Sequence, residues 1–199
     1  MKNKIKKLIE NKKGFTIVES LFAIFILVIS VTGPMAFTQS GLRASFIARD
    51  QVTAFYLAQD AIEYIKNVRD SNSIKSIGGT DTFWLNSLSD CYDGSECTID
   101  TIDEVILSCG TITNNPGCFD DNNLYPLKID DDGFFRITEG TKDSIFAREI
   151  KITPVPSGEL IGDVSEVQIE VIVKWQTPQS IGDKSINVKE NMFNWATGI

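Results

Sequence analysis

Glu19 is the side chain whose position most demands a chemical explanation. It lies in G-F-T-I-V-E-S-L-F-A-I-F-I-L-V-I-S-V, residues 14–31, and residues 21–29 carry no polar side chain. A carboxylate at the centre of a membrane helix costs roughly 2.5–3.5 kcal/mol on insertion scales, and an opposite charge or protonation relieves that cost. The chemistry on offer is ion pairing in a poorly solvated place. A second group is Cys91, Cys97, Cys109 and Cys118, which fall within 28 residues and lack the C-x2-C spacing of a zinc site. They read as two disulfides made in an oxidising compartment. Three pairings are open; Cys91 with Cys97 and Cys109 with Cys118 is favoured, because each closes a short loop rich in Gly, Asp, Asn and Pro.

Other chemistries find little support. The chain has no histidine, which removes the usual general base, zinc ligand and near-neutral pH switch. Asp120-Asp121-Asn122-Asn123 and Asp130-Asp131-Asp132-Gly133 offer oxygen ligands suited to calcium, but neither fits EF-hand spacing and both read as turns. No pair of carboxylates is singled out for glycosidic cleavage. We therefore expect no catalytic residue, no metal and no cofactor. Net charge is −8, unevenly spread: residues 1–14 hold six lysines and Glu10, leaving 13 basic and 26 acidic residues beyond them. So acidic a surface repels phosphate, and no nucleic-acid partner is expected for the bulk domain.

The elements that must position these groups follow from periodicity. Residues 15–33 make a span of 19, about enough helix to cross a bilayer core. The lysines before it would hold the amino terminus on the cytoplasmic side. Gly33-Pro34 predicts a kink rather than a stop. Helical character returns from residue 35 to about 69, where Ala54, Leu57, Ala61, Ile65 and Val68 form an apolar stripe. Residues 71–80, with Gly78-Gly79, are expected to end the helix and form a linker. The next forty residues read as irregular, with Phe83, Trp84 and Leu85 plugging a junction between helix and sheet.

Strands are expected after that. Residues 124–129 and 134–138 read as a hairpin around Asp-Gly. Residues 145–153 form a second signal, ended by Pro154 and Pro156. Val167, Ile169, Val171, Val173 and Trp175 alternate with polar residues, 178–183 reads as a turn, and 184–193 supplies the last strand. The expected fold class is α+β: a long N-terminal helix, membrane-spanning in its front half, packed by its rear half on four or five antiparallel strands, with a disulfide-stapled irregular region. The expected divisions are a leader at 1–14, a transmembrane half at 15–34, an amphipathic half at 35–70, the linker and disulfide region at 71–123, and the sheet at 124–199.

The segment Lys12-Lys13-Gly14-Phe15-Thr16-Ile17-Val18-Glu19-Ser20-Leu21 resembles the cleavage and methylation motif of type IV pilins and type II secretion pseudopilins. The resemblance implies that a prepilin peptidase cuts after Gly14 on the cytoplasmic side and methylates Phe15. It further implies that Glu19 pairs with a neighbouring subunit's terminal amine during assembly, with other pilin subunits, an inner-membrane assembly platform and the lipid bilayer as partners. Weaker similarities in residues 57–63, 146–150 and 171–175 point toward PilV-type minor pilins. The implied location is the inner membrane, single-pass with the C-terminal domain exported, then a surface pilus or periplasmic pseudopilus.

Competing explanations account for less. A secretory signal peptide would be cut after the apolar run, where Val31-Thr32-Gly33-Pro34 places an unfavourable proline. An uncleaved signal anchor explains the lysines but not Glu19 or the Gly-Phe junction. Glu19 near the interface could also reach water, which lowers its cost. The expected function is a minor pilin; a secretion or competence pseudopilin, or a stably anchored surface binding module, is the alternative, and a secreted hydrolase has no feature selecting it.

Overall fold

Helix α1 spans Ile17–Ile77 and runs through Pro34 without a break in the computed structural model. Residues 14–80, 82–92, 94–113, 117–120, 123–156, 165–177 and 182–196 are described. The lysine-rich stretch 1–13, Asp121, Asn122 and most of the expected 178–183 turn lie outside them. Two compact units divide between Ala48 and Arg49, within α1.

In the second unit, the stripe of α1 formed by Ala54, Leu57, Ala58, Ala61, Ile62 and Ile65 is buried. Its steps of three and one keep these residues on one helix face, which joins the inward residues of the sheet in one core. The helix continues two turns beyond the expected end near residue 69. Asn72 is the reason: its amide nitrogen donates to the carbonyls of Trp84 at 3.3 Å and Asn86 at 2.9 Å. A run that reads as helix-breaking is thereby held helical by the loop it binds. The actual stop is at Gly78-Gly79, where Thr80 N–H donates to Lys75 O and Gly79 N–H to Ser76 O. This paired arrangement needs a left-handed residue, and Gly79 supplies it with φ +89°.

Five antiparallel strands form the main sheet: β1 Cys97–Asp100, β2 Val105–Ser108, β8 Phe146–Pro154, β9 Glu166–Trp175 and β10 Lys184–Phe193, in the order β10-β9-β8-β1-β2. Their register sets Ile150 opposite Val171, Ile152 opposite Ile169, and Val171 opposite Val188. Val167, Ile169, Val171, Val173 and Trp175 all face the core, and Trp84, Leu85 and Leu88 close it.

Region 71–123 is not irregular throughout. β1 and β2 form a hairpin that adds an edge to the main sheet. All four residues of β1 are buried, and its C-T-I-D alternation is only as long as the shortest run that signals a strand. A short helix α2 follows at Cys109–Thr113, and β3 Phe119–Asp120 pairs with β4 Asn123–Leu124. The expected 124–138 hairpin is present but shorter: β5 Lys128–Ile129 pairs with β6 Phe135–Arg136 and with β7 Lys142–Asp143, forming a separate three-stranded sheet. Its turn is closed by Gly133 N–H to Asp130 O, with Gly133 at φ +89°.

Two guanidinium groups join these layers. Arg148, only 2% exposed, points from β8 to α1; it donates to Leu57 O at 2.7 Å, to the Asp60 carboxylate at 3.2 Å and to Ile99 O. Burial pulls its pKa below the ordinary guanidinium value, and Asp60 opposes this. Arg136 lies among Asp100, Asp103 and Asp130. Asp100 accepts from the backbone N–H groups of Ile102, Asp103 and Ile137 as well as from Arg136. Burial raises the Asp100 pKa, but the Ile137, Asp103 and Ile102 amides and the Arg136 charge outweigh it, leaving the carboxyl below its usual range.

A depressed carboxyl pKa stabilises the fold above the unfolded-state value and loses that contribution as pH falls through the folded-state value. Asp100→Asn is therefore expected to cost about 3 kcal/mol at pH 7, because it leaves Arg136 without its most buried partner. Urea unfolding at a series of pH values should show this gap constant near neutrality and narrowing only below about pH 4.

Candidate functional site

Gly14, Phe15 and Thr16 precede α1 in non-helical conformation, and all three are exposed. The helix begins because Thr16 caps it: its Oγ1 accepts from Glu19 N–H at 3.3 Å, and its carbonyl accepts from Ser20 N–H at 3.1 Å. T-x-x-E at a helix start is a capping-box pattern, a sequence signal that the reading of Glu19 as an assembly residue overlooked. Glu19 also lies in the first turn, where the helix dipole favours negative charge. Part of its cost in an apolar stretch is thus offset locally.

Beyond Glu19 the helix has no cover of its own. Every residue from 14 to 46 is exposed, and the large apolar side chains of 21–29 are 54–65% exposed, all the way round the helix. The helix is long and apolar enough to cross a membrane. Four of its hydroxyls are satisfied internally: Ser20 donates to Thr16 O, Ser30 to Leu27 O, Thr32 to Val28 O and Thr38 to Pro34 O. Such back-bonding removes the need for water along a lipid-facing helix. Glu19 is different. Among the described residues, none forms an ion pair or side-chain hydrogen bond with its carboxylate.

No family model, curated protein or solved structure matches the chain. An unpartnered carboxylate one turn into a fully exposed apolar helix can accept a cation or a proton. Gly14 and Phe15 present an accessible peptide bond immediately before the capped helix.

The cysteines belong to the second unit. Cys91 is bonded to Cys97, and Cys109 to Cys118. The first disulfide ties a short 3-10 turn, Ser89–Cys91, to the start of β1. The second is held against β8 by Glu149, which accepts from Cys118 N–H at 2.9 Å. Burial pushes the Glu149 pKa up, the Cys118 amide opposes this, and Glu96 reinforces it. Of the acidic loops, the 130–133 segment is a turn: Asp130 accepts from the N–H groups of Asp132 and Phe134 and binds Arg136. Among the described residues no cluster of three His, Cys, Asp or Glu is arranged to hold a metal.

Since residues 14–46 are all exposed, they contribute nothing to the buried core. A chain beginning at Arg49 is expected to stay dissolved without detergent, retain both disulfides, and melt within about 3 °C of the full chain, a shift that ~1 kcal/mol would produce in a unit of this size. Differential scanning calorimetry of both chains checks this.

Proposed function

We propose that this chain is a pilin-type assembly subunit, best read as a minor pilin of a type IV pilus or related filament. It would be cut after Gly14 by prepilin peptidase, and its helix would pass from membrane to filament. The observation that carries the reading is the combination at the helix start: an exposed Gly14-Phe15 bond, a capped first turn with an unpaired Glu19, and an apolar surface all round the helix behind it. That surface is stable only in lipid or against other apolar helices. An ammonium group at the terminus of a neighbouring Phe15 would supply the charge that Glu19 lacks.

The rest of the chain fits such a role. The second unit has its own sheet, core and two disulfides, suited to folding outside the cytoplasm while the helix remains anchored. Glu19→Ala is expected to leave cleavage intact while incorporation into sheared filaments falls about tenfold or more, the ratio that ~1.4 kcal/mol of lost pairing produces. Quantitative immunoblotting of sheared filaments against the envelope fraction reads this, and normal incorporation would sink the role given to Glu19.

Mass spectrometry of the amino-terminal peptide tests the reading directly. N-methyl-Phe15 in sheared filaments is the expected result. Processed protein confined to the envelope would favour a secretion or competence pseudopilin. Intact Met1 throughout, in cells with active prepilin peptidase, would favour an anchored surface module instead.

A further inference from the structure

A recess of about 470 Å³ lies between the last turns of α1 and the β1–β2 turn, wholly within residues 49–199. Tyr64, Asn67, Ser71 and Lys75 are spaced three, four and four residues apart, so they form one polar stripe on α1. Ser87 and Asp90 face it from the loop before β1, and Glu104 from the hairpin turn. The frame is rigid. Asn72 binds the Trp84 and Asn86 carbonyls, fixing the loop to the helix, and the Tyr64 hydroxyl donates to Glu104 O at 3.2 Å.

Two observations mark this recess out. The side chains of Asn67, Ser71, Lys75, Ser87, Asp90 and Glu104 make no hydrogen bond or ion pair with any other described residue, although they converge on one concavity. Moreover, Ser87 at φ +75° and Glu104 at φ +57° are the only non-glycine residues with positive φ among the described residues, and both line it. Left-handed backbone is held at a cost in such residues and gathers at binding sites.

The lining restricts the ligand by its chemistry. Its mainly polar surface excludes lipid chains, since Val68, Ile106 and the Tyr64 ring are its only apolar components. Asp90 and Glu104 against the single Lys75 leave it net negative, which repels phosphate, sulfate and sialic acid. Among uncharged ligands, this lining suits a molecule rich in hydroxyl groups. Amide, hydroxyl and carboxylate groups donate to and accept from such hydroxyls, and a ring face can rest on Tyr64 and Ile106.

We propose that this recess binds one or two neutral pyranose units of a glycan. The proposal goes beyond the filament reading and does not rest on it, because every lining residue belongs to the second unit. Failure of either leaves the other standing.

The test uses the full chain in a detergent without a sugar headgroup. Cellobiose, maltose, mannobiose and N,N′-diacetylchitobiose are titrated by saturation-transfer NMR, with sialyllactose and a heparin disaccharide as anionic counterparts. At least one neutral disaccharide should bind with Kd below about 10 mM, and neither anionic sugar should compete. Asn67→Ala combined with Ser71→Ala, both at exposed helix positions that tolerate alanine, should raise that Kd at least tenfold with the melting temperature unchanged. The proposal is overturned if none of the four neutral sugars binds, if an anionic sugar binds as well or better, or if the double variant binds like the parent.

Discussion

The packing of one helical stripe against one sheet face is the contact on which the second unit depends. Ala54, Leu57, Ala58, Ala61, Ile62 and Ile65 are buried in one core cluster with the inward residues of β8 and β9. Without this contact the sheet would expose Val167, Ile169, Val171, Val173 and Trp175 along a whole face. At about 25 cal/mol per Å² of apolar surface, burial of that face dominates any polar term in the unit. Arg148 makes the contact specific rather than merely apolar, since its guanidinium reaches Leu57 O and Asp60 on the helix and Ile99 O on β1.

Charge is managed by the same layering. The chain beyond residue 14 has twice as many acidic as basic side chains, so compaction must work against repulsion. Arg136 is surrounded by Asp100, Asp103 and Asp130, and Asp103 with Asp100 raises its pKa further above the ordinary guanidinium value. A single internal cation thereby gathers carboxylates from β1, the hairpin after it and the 130–134 turn. The recess by Tyr64 shows the opposite condition, with carboxylates and amides left uncommitted on the surface.

The front of α1 obeys a different rule, because no part of its circumference is buried. Backbone bonds, the Thr16 cap and the back-bonded hydroxyls of Ser20, Ser30 and Thr32 satisfy the polar groups of its most apolar stretch, which is what an apolar solvent requires. Glu19 alone carries a charge that the described residues do not answer. Its backbone N–H is held by the Thr16 cap while its carboxylate stays free, which is compatible with a role toward a partner.

Periodicity alone made much of this legible: the 54–65 stripe, the alternation of 167–175, the last strand at 184–193 and the apolar front of the helix. Each reflects burial of one face, which writes a period of 3.6 or 2 into the residues themselves. Gly14, Phe15 and Glu19 stood out as a local motif, as did the pairing of short cysteine loops. Tertiary structure decided the rest. β1 was hidden because its alternation runs for only four residues among turn-forming neighbours, and α1 outran its expected end because Asn72 binds carbonyls 12 and 14 residues away. Arg136 meets Asp100 across 36 residues and Arg148 meets Leu57 across 91. Nothing local encodes such partners, since they depend on which faces the folded layers bring together.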